Sequence, residues 1–223
     1  MAGLNIVALP IGHSQDITIR AMQTLTEVDF IACEDTRKLK DLLRRTGIET
    51  EARIFVYNKD NEKNSARGLV DLLQQGQSGA LVADAGTPKI SDPGHDLVKL
   101  CYEQKIEVKA VPGVSALTCA LSICPFAVQP LLFLGFLPPK DGKRIKILHN
   151  YATFQGTVAF YESVHKIEKL IDNLMNTWGN GEVFIGRELT KQYEETFWGS
   201  LEEATEWVKK KKGEFVVIIR KSD

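Results

Sequence analysis

Leu81-Val82-Ala83-Asp84-Ala85-Gly86-Thr87-Pro88-Lys89-Ile90-Ser91-Asp92-Pro93-Gly94 is the stretch that decides the fold. Ala80 to Ala83 is a short apolar run of the kind that forms a buried strand. It ends in an aspartate, and two glycines and two prolines follow. Pro93 is read as opening a helix, where its missing N–H costs nothing. A loop built from fixed and permissive backbone at the end of a buried strand lets main chain approach a ligand closely. Ligands in open α/β sheets sit at the carboxyl ends of strands, so this loop is a candidate binding element.

The same strand–loop–helix rhythm runs outward in both directions. Strands are expected at Leu4 to Leu9, Phe30 to Cys33, Arg53 to Tyr57, Ala80 to Ala83 and Val108 to Val111. Helical spacing fills the gaps at Ile17 to Val28, Thr36 to Arg45, Ala66 to Gln75 and Asp96 to Gln104. Strands separated by such helices argue a mostly parallel sheet covered on both faces. A second unit begins after Pro125. It has strands at Leu131 to Leu134, Val158 to Tyr161, Glu182 to Gly186 and Phe215 to Ile219, and helices at Ile167 to Met175 and Leu201 to Lys210. The boundary falls between residues 112 and 126, giving domains 1–115 and 116–223. The fold class is therefore α/β with two α/β domains: an N-terminal, mostly parallel five-stranded sheet with flanking helices, and a C-terminal mixed sheet.

Composition narrows the function classes. The 223 residues are 43% hydrophobic and 26% charged, with a net charge of −1. Bulk charge gives no nucleic-acid footprint, although a local basic patch can act without one. No apolar run is long enough to span a bilayer and the N-terminus has no leader-like pattern, so a soluble, cytoplasmic protein with no membrane partner is expected. Cys33, Cys101, Cys119 and Cys124 form no CxxC pair and read as buried free thiols. The four histidines are scattered, so no metal is expected.

Three loops share one character: Leu9 to Thr18, the Asp84 loop, and Val111-Pro112-Gly113-Val114-Ser115-Ala116. Each follows a strand and precedes a helix, so a parallel sheet must gather them on one edge. There is no GxxxxGK[ST] phosphate loop, no GxGxxG after the first strand and no GxSxG elbow. What remains suits a ligand held by backbone amides and carbonyls with Asp84 beside it.

Eight fragments in chain order resemble one family: Pro10-Ile11-Gly12, Asp16-Ile17-Thr18, Cys33-Glu34-Asp35-Thr36-Arg37, Asp84-Ala85-Gly86-Thr87-Pro88, Ile90-Ser91-Asp92-Pro93-Gly94, Phe160-Tyr161-Glu162-Ser163, Arg187-Glu188-Leu189-Thr190-Lys191 and Lys212-Gly213-Glu214. They are similar to the bacterial 16S ribosomal RNA cytidine 2′-O-methyltransferases, a branch of the tetrapyrrole methylase (class III) superfamily. The resemblance implies S-adenosylmethionine as donor, S-adenosylhomocysteine as product, a ligand cleft between the two domains, a homodimer, and 16S ribosomal RNA or the small ribosomal subunit as partner. It assigns Pro10, Asp84, Gly86, Thr87, Ser115, Ala116, Tyr161 and Leu189 to the donor.

A ribose hydroxyl is a weak nucleophile whose proton must be taken up. The candidates for that chemistry are Asp35, Arg37, Glu162, Glu188 and Lys191, with Tyr57, Asn61 and His165 bordering the substrate. Asp35 could equally be the N-cap of the Thr36 helix. The chain departs from the family pattern at His13-Ser14, Asn58, Ala83, Lys89, Val114 and Val164. It also stops at Asp223, where typical members continue into a short extension thought to hold RNA. Methylation of a small molecule such as a tetrapyrrole, or donor binding without catalysis, are the alternatives.

Overall fold

The computed structural model describes residues 3–220. It divides into two compact units at Ser115/Ala116.

The first unit alternates strand and helix throughout. Its elements are β1 (Gly3–Val7), α1 (Ile19–Glu27), β2 (Phe30–Cys33), α2 (Thr36–Thr46), β3 (Arg53–Val56), α3 (Glu62–Gln74), β4 (Ser78–Leu81), α4 (His95–Glu103) and β5 (Val108–Val111). The strands form one sheet in the order β3-β2-β4-β1-β5. Every pairing in it is parallel. Alternation along β2 shows how the sheet is covered. Ile31 and Cys33 join a core with Leu25 of α1 and Leu39, Leu42 and Leu43 of α2. Phe30 and Ala32 face the opposite core, with Leu69 and Leu73 of α3 and Leu97 and Cys101 of α4. A period of two along the strand thus builds two cores. Gly79 of β4 leaves room for the end of the Phe30 ring, since a Cβ there would come within 2.2 Å of Cζ.

The second unit contains α5 (Ala116–Ile123), β6 (Leu131–Phe136), α6 (Asp141–Asn150), β7 (Thr157–Ser163), α7 (Ile167–Trp178), β8 (Glu182–Arg187), β9 (Glu195–Ser200), α8 (Leu201–Trp207) and β10 (Glu214–Arg220). Its sheet is mixed, in the order β6-β7-β10-β8-β9. β6 and β7 are parallel and the other pairings antiparallel. Val158, Phe160, Val183, Ile185, Val217 and Ile219 face a core shared with Leu170, Ile171 and Leu174 of α7 and Leu201 and Ala204 of α8.

The two sheets are those the sequence leads one to expect, and several boundaries move. α3 begins at Glu62, four residues before the expected start, and α4 begins at His95 rather than at Pro93. Gly94 is the N-cap of α4 with φ 138°, a conformation open to glycine. α6 and β9 are elements the sequence reading did not contain. Cys33 and Cys101 are buried free thiols, whereas Cys119 and Cys124 are only half-buried.

Candidate functional site

Parallel strands send all their carboxyl ends to one edge, and in the first unit that edge is stitched from main chain. Leu9 and Gly86 form an isolated antiparallel bridge, Leu9 N donating to Gly86 O at 2.9 Å and Gly86 N to Leu9 O at 3.0 Å. The loop after β1 is thereby fixed to the loop after β4, with Pro10 next in chain. Gly86 has φ 74°, and a Cβ there would sit 3.2 Å from Ile11 Cγ2. Thr87 Oγ1 donates to Val114 O at 3.0 Å, which ties in the loop after β5. Gly113 lies so close to Ala8 that a Cβ would meet the Ala8 Cβ at 3.0 Å. The three glycine- and proline-bearing loops therefore share one edge, and the close approaches depend on residues without side chains.

A charged group flanks this edge. Asp84 accepts from the Asp35 amide at 3.1 Å and from Lys38 Nζ at 2.7 Å. Burial pushes the Glu34 carboxyl above its ordinary value, and the Asp84 charge adds to the shift. Asp35 caps α2 by accepting from the Arg37 amide at 2.8 Å, and the Arg37 guanidinium folds back on it at 2.8 Å and 3.1 Å. Those hydrogen bonds hold the Asp35 carboxyl down at about 2. Burial lifts the Cys33 thiol beside them to about 12, with Asp84, Asp35 and Glu34 adding.

The far end of the Asp84 loop is pinned by a remote carboxylate. Glu62 Oε1 accepts from Gly94 N at 2.9 Å and Asp96 N at 3.1 Å, the first amides of α4. Tyr57 Oη donates to the same oxygen at 3.1 Å and accepts from Leu97 N at 3.2 Å. The orphan donors of a helix start are thus met from another part of the chain. Between the stitched and pinned ends, Lys89 and Ser91 adopt φ of 70° and 77°. For side-chain-bearing residues this left-handed region carries strain.

Tyr57 and Asn61 were expected to border the substrate, and the structure gives them scaffold partners. Tyr57 is fully buried. Asn61 accepts from Asn58 N at 2.9 Å and donates to Val56 O at 3.2 Å, closing the turn before α3.

Within the second unit, the expected residues fall into two groups. Tyr161 accepts from Leu117 N at 3.0 Å at the start of α5, and its ring lies edge-on to Phe133 at 4.9 Å. Glu162 is sealed: its Oε2 accepts from Arg144 Nη2 at 3.0 Å, with both side chains at most 1% exposed. Arg144 Nε and Nη1 are buried with no hydrogen-bond partner among the described residues. Glu188, Lys191 and Glu214 make the second group. Lys191 Nζ donates to Glu188 Oε1 at 3.0 Å and Glu214 Oε2 at 2.8 Å. Glu188 Oε1 also accepts from Glu214 N at 2.8 Å. Burial opposes the Lys191 charge, and the hydrogen bonds to Glu214 and Glu188 outweigh it and raise its pKa. Glu188 and Thr190 sit at φ of 50° and 65°. Leu189 is buried against Gly186, and His165 is exposed in the turn after β7.

Glu34, Lys38, Glu62 and Arg144 were not singled out by the sequence reading. Burial is not written in composition for Glu34 and Arg144. Lys38 and Glu62 act on partners far away in sequence.

Close main-chain loops at the carboxyl edge of a parallel sheet, in a chain that also carries a mixed α/β unit, define a class. Residues 3–205 match the family model of the Tetrapyrrole (Corrin/Porphyrin) Methylases, and the chain belongs to that family. Its relatives include the ribosomal RNA small subunit methyltransferase I of Leptospira biflexa, 41% identical over 97% of this chain and 90% of that one. The protein of the same name from Thermotoga maritima is 40% identical over 98% of each chain. The uroporphyrin-III C-methyltransferase of Thermus thermophilus, solved with S-adenosylhomocysteine, shares the fold with a TM-score of 0.70 at 16% identity over 98% of this chain and 97% of that one. Among the described residues there is no group of His, Cys, Asp and Glu able to hold a metal ion, and no helix long and apolar enough to cross a membrane.

Proposed function

We propose that the protein transfers a methyl group from S-adenosylmethionine to the 2′-hydroxyl of a cytidine in small-subunit (16S) ribosomal RNA. The observation that carries this reading is the Leu9–Gly86 bridge with the Thr87–Val114 bond. Together they fasten three glycine- and proline-bearing loops into one edge of close main chain, suited to the amide-and-carbonyl recognition an adenosyl donor needs.

The residues present fit that donor. Pro10, Gly86, Thr87 and Ser115 lie on loops whose close approach a Cβ at Gly86 or Gly113 would push apart, against Ile11 or Ala8. Ala116, which opens α5, Tyr161 and Leu189 complete the set that the resemblance assigns. S-adenosylmethionine supplies the electrophilic methyl when bound. Asp84 brings a carboxylate to balance a cationic ligand, a role that Lys38 fills at present. Rigid placement of reacting groups supplies much of such a barrier reduction.

For the proton of the attacking hydroxyl, Glu34 is the better acceptor on this edge. Its carboxyl is raised by burial, whereas Arg37 makes Asp35 a weak base. Glu162 is closed off by Arg144 and positions β7. Lys191 stays cationic at neutral pH and is suited to an anionic oxygen, held in place by Glu188 and Glu214. Arg37, exposed beside the edge, can meet a phosphate. His165, exposed in the turn after β7, is the residue of the second unit proposed to touch substrate.

The test is incubation with labelled donor and small ribosomal subunits from a strain lacking the activity, followed by mapping of the label. Label on a cytidine ribose supports the reading; label only on an added tetrapyrrole overturns the substrate. Calorimetry with S-adenosylhomocysteine should show binding that Gly86→Ala weakens. Light scattering tests the homodimer that the family resemblance implies, and fractionation tests a cytoplasmic location.

A further inference from the structure

We propose that the α6–α7 end of the second unit, formed by Lys140, Lys143, Lys146, Lys166 and Phe136, is where single-stranded ribosomal RNA lays its phosphate backbone beside a stacked base. This rests on the RNA reading above and gives it a place on the molecule.

The charge pattern is local. The whole chain carries a net charge of −1, yet residues 138–150 hold Lys140, Lys143, Arg144, Lys146 and His149 against a single carboxylate, Asp141. That carboxylate is already tied to Lys169 at 2.6 Å. Lys140, Lys143 and Lys146 are exposed, and none takes part in an ion pair among the described residues. Elsewhere many exposed cations are matched, as in Arg44–Asp41, Lys99–Glu103 and Lys209–Glu206. A helix face that is only solvated usually mixes signs; this one does not.

Geometry gathers the charges. Residues three apart lie on one helix face, so Lys143 and Lys146 point away from the buried Arg144 and Leu148, and Lys140 adds a third cation at the N-cap. The Asp141–Lys169 bridge joins the first turns of α6 and α7, which brings Lys166, the N-cap of α7, to the same end. Neither helix has a side-chain cap, so both present amide donors and a positive dipole end there. β6 and β7 run parallel into this end with Phe136 opposite Tyr161. Phe136 is 53% exposed although aromatic, and its ring centroid lies 5.5 Å from that of Tyr161. An exposed ring backed by a second ring is a platform for a nucleobase, and cations around it suit successive phosphates.

The test uses full-length protein and small-subunit ribosomal RNA, with binding measured across a salt series. Lys140→Glu/Lys143→Glu should weaken binding at least about tenfold at 0.1 M salt and flatten the log K against log salt slope by about 1.5. Phe136→Ala should weaken binding about tenfold with the slope unchanged. Lys63→Glu/Arg67→Glu on α3, a charge-matched control, should change neither. Heat of S-adenosylhomocysteine binding should be the same in the lysine and α3 variants, and Phe136→Ala should keep the wild-type circular-dichroism spectrum and a cooperative melt, which shows that each is folded. Unchanged affinity and slope in the α6 variant, with wild-type RNA binding intact, overturn the surface and leave the function standing. Donor binding by the wild type with no RNA binding at any salt overturns both.

Discussion

The Tyr57 hydroxyl donates to Glu62 Oε1 at 3.1 Å and accepts from Leu97 N at 3.2 Å, joining a carboxylate to the start of a helix 40 residues on. Glu62 binds two further amides of the same helix start. The loop from Asp84 to Gly94 is therefore held at its exit by a side chain outside it. Glu62→Ala should lower stability by about 1–2 kcal/mol, as loss of a strong cap does, and Glu62→Gln by less. Chemical denaturation of the two variants checks this. Hydrogen exchange should quicken at residues 94–97 before it does in β4. Burial opposes the Glu62 charge, but the Gly94, Asp96 and Tyr57 hydrogen bonds prevail and lower its pKa below 4.5. A carboxyl depressed by folding contributes stability above its unfolded value and loses it as pH falls through the folded one. The wild-type advantage over Glu62→Gln should thus be present at neutral pH and fade below about pH 4.5.

Glu34 has the opposite sign. Its folded pKa is raised above the ordinary 4.5 by burial and then by Asp84. A raised carboxyl favours the folded state while protonated, and that contribution is lost as pH rises through the folded value. Glu34→Gln should accordingly melt at a higher temperature than wild type at pH 7.5, with the difference vanishing near pH 4. Methyl transfer should fall in the same variant. A more stable and fully active Glu34→Gln would remove Glu34 as the proton acceptor.

Arg144→Met leaves the Glu162 charge buried without its partner. The expected loss is about 3–5 kcal/mol by urea denaturation. Arg144→Met/Glu162→Gln should lose less than Arg144→Met alone, because the uncompensated charge is gone while an acceptor for the Ser163 amide remains.

Gly79→Ala should be among the most damaging single-methyl changes in the first unit. The new Cβ would lie 2.2 Å from Phe30 Cζ and 2.5 Å from Cε2. Overpacking of this kind costs about 1–3 kcal/mol. Phe30→Leu in the Gly79→Ala background should recover part of the loss in thermal melts.

The sheets were legible because their strands are apolar and regularly spaced by amphipathic helices. Leu39, Leu42 and Leu43 announce α2, and Gly47 in left-handed conformation ends it as its sequence position suggests. α6 escaped because the position facing inward is Arg144, so the helical period is broken where burial is deepest. β9 escaped because Trp198, its largest residue, is 60% exposed, and Phe197 is the one large apolar residue it turns to the core, among Glu195, Thr196 and Ser200. The gathered edge at Leu9, Gly86 and Val114 followed from parallel topology alone. The partners of Tyr57 did not. Its phenol and the Asn61 amide look like substrate groups in a loop; a helix start 40 residues away takes the first, and the local turn from Val56 to Asn58 takes the second. Asp35 shows the limit from the other side: the N-cap reading and the proton-acceptor reading draw on the same residue, and its bond to Arg37 N shows the cap.

The strand order of the second sheet bears on how the chain acquires its shape during synthesis. β10, last to leave the ribosome among the described strands, lies between β7 and β8. Until residues 214–220 emerge, the inner edges of both neighbours stay unzipped, with Phe160 and Ile185 still wet. Truncation before residue 214 would remove a central plank rather than trim a fringe, and unpaired strand edges of this kind invite aggregation.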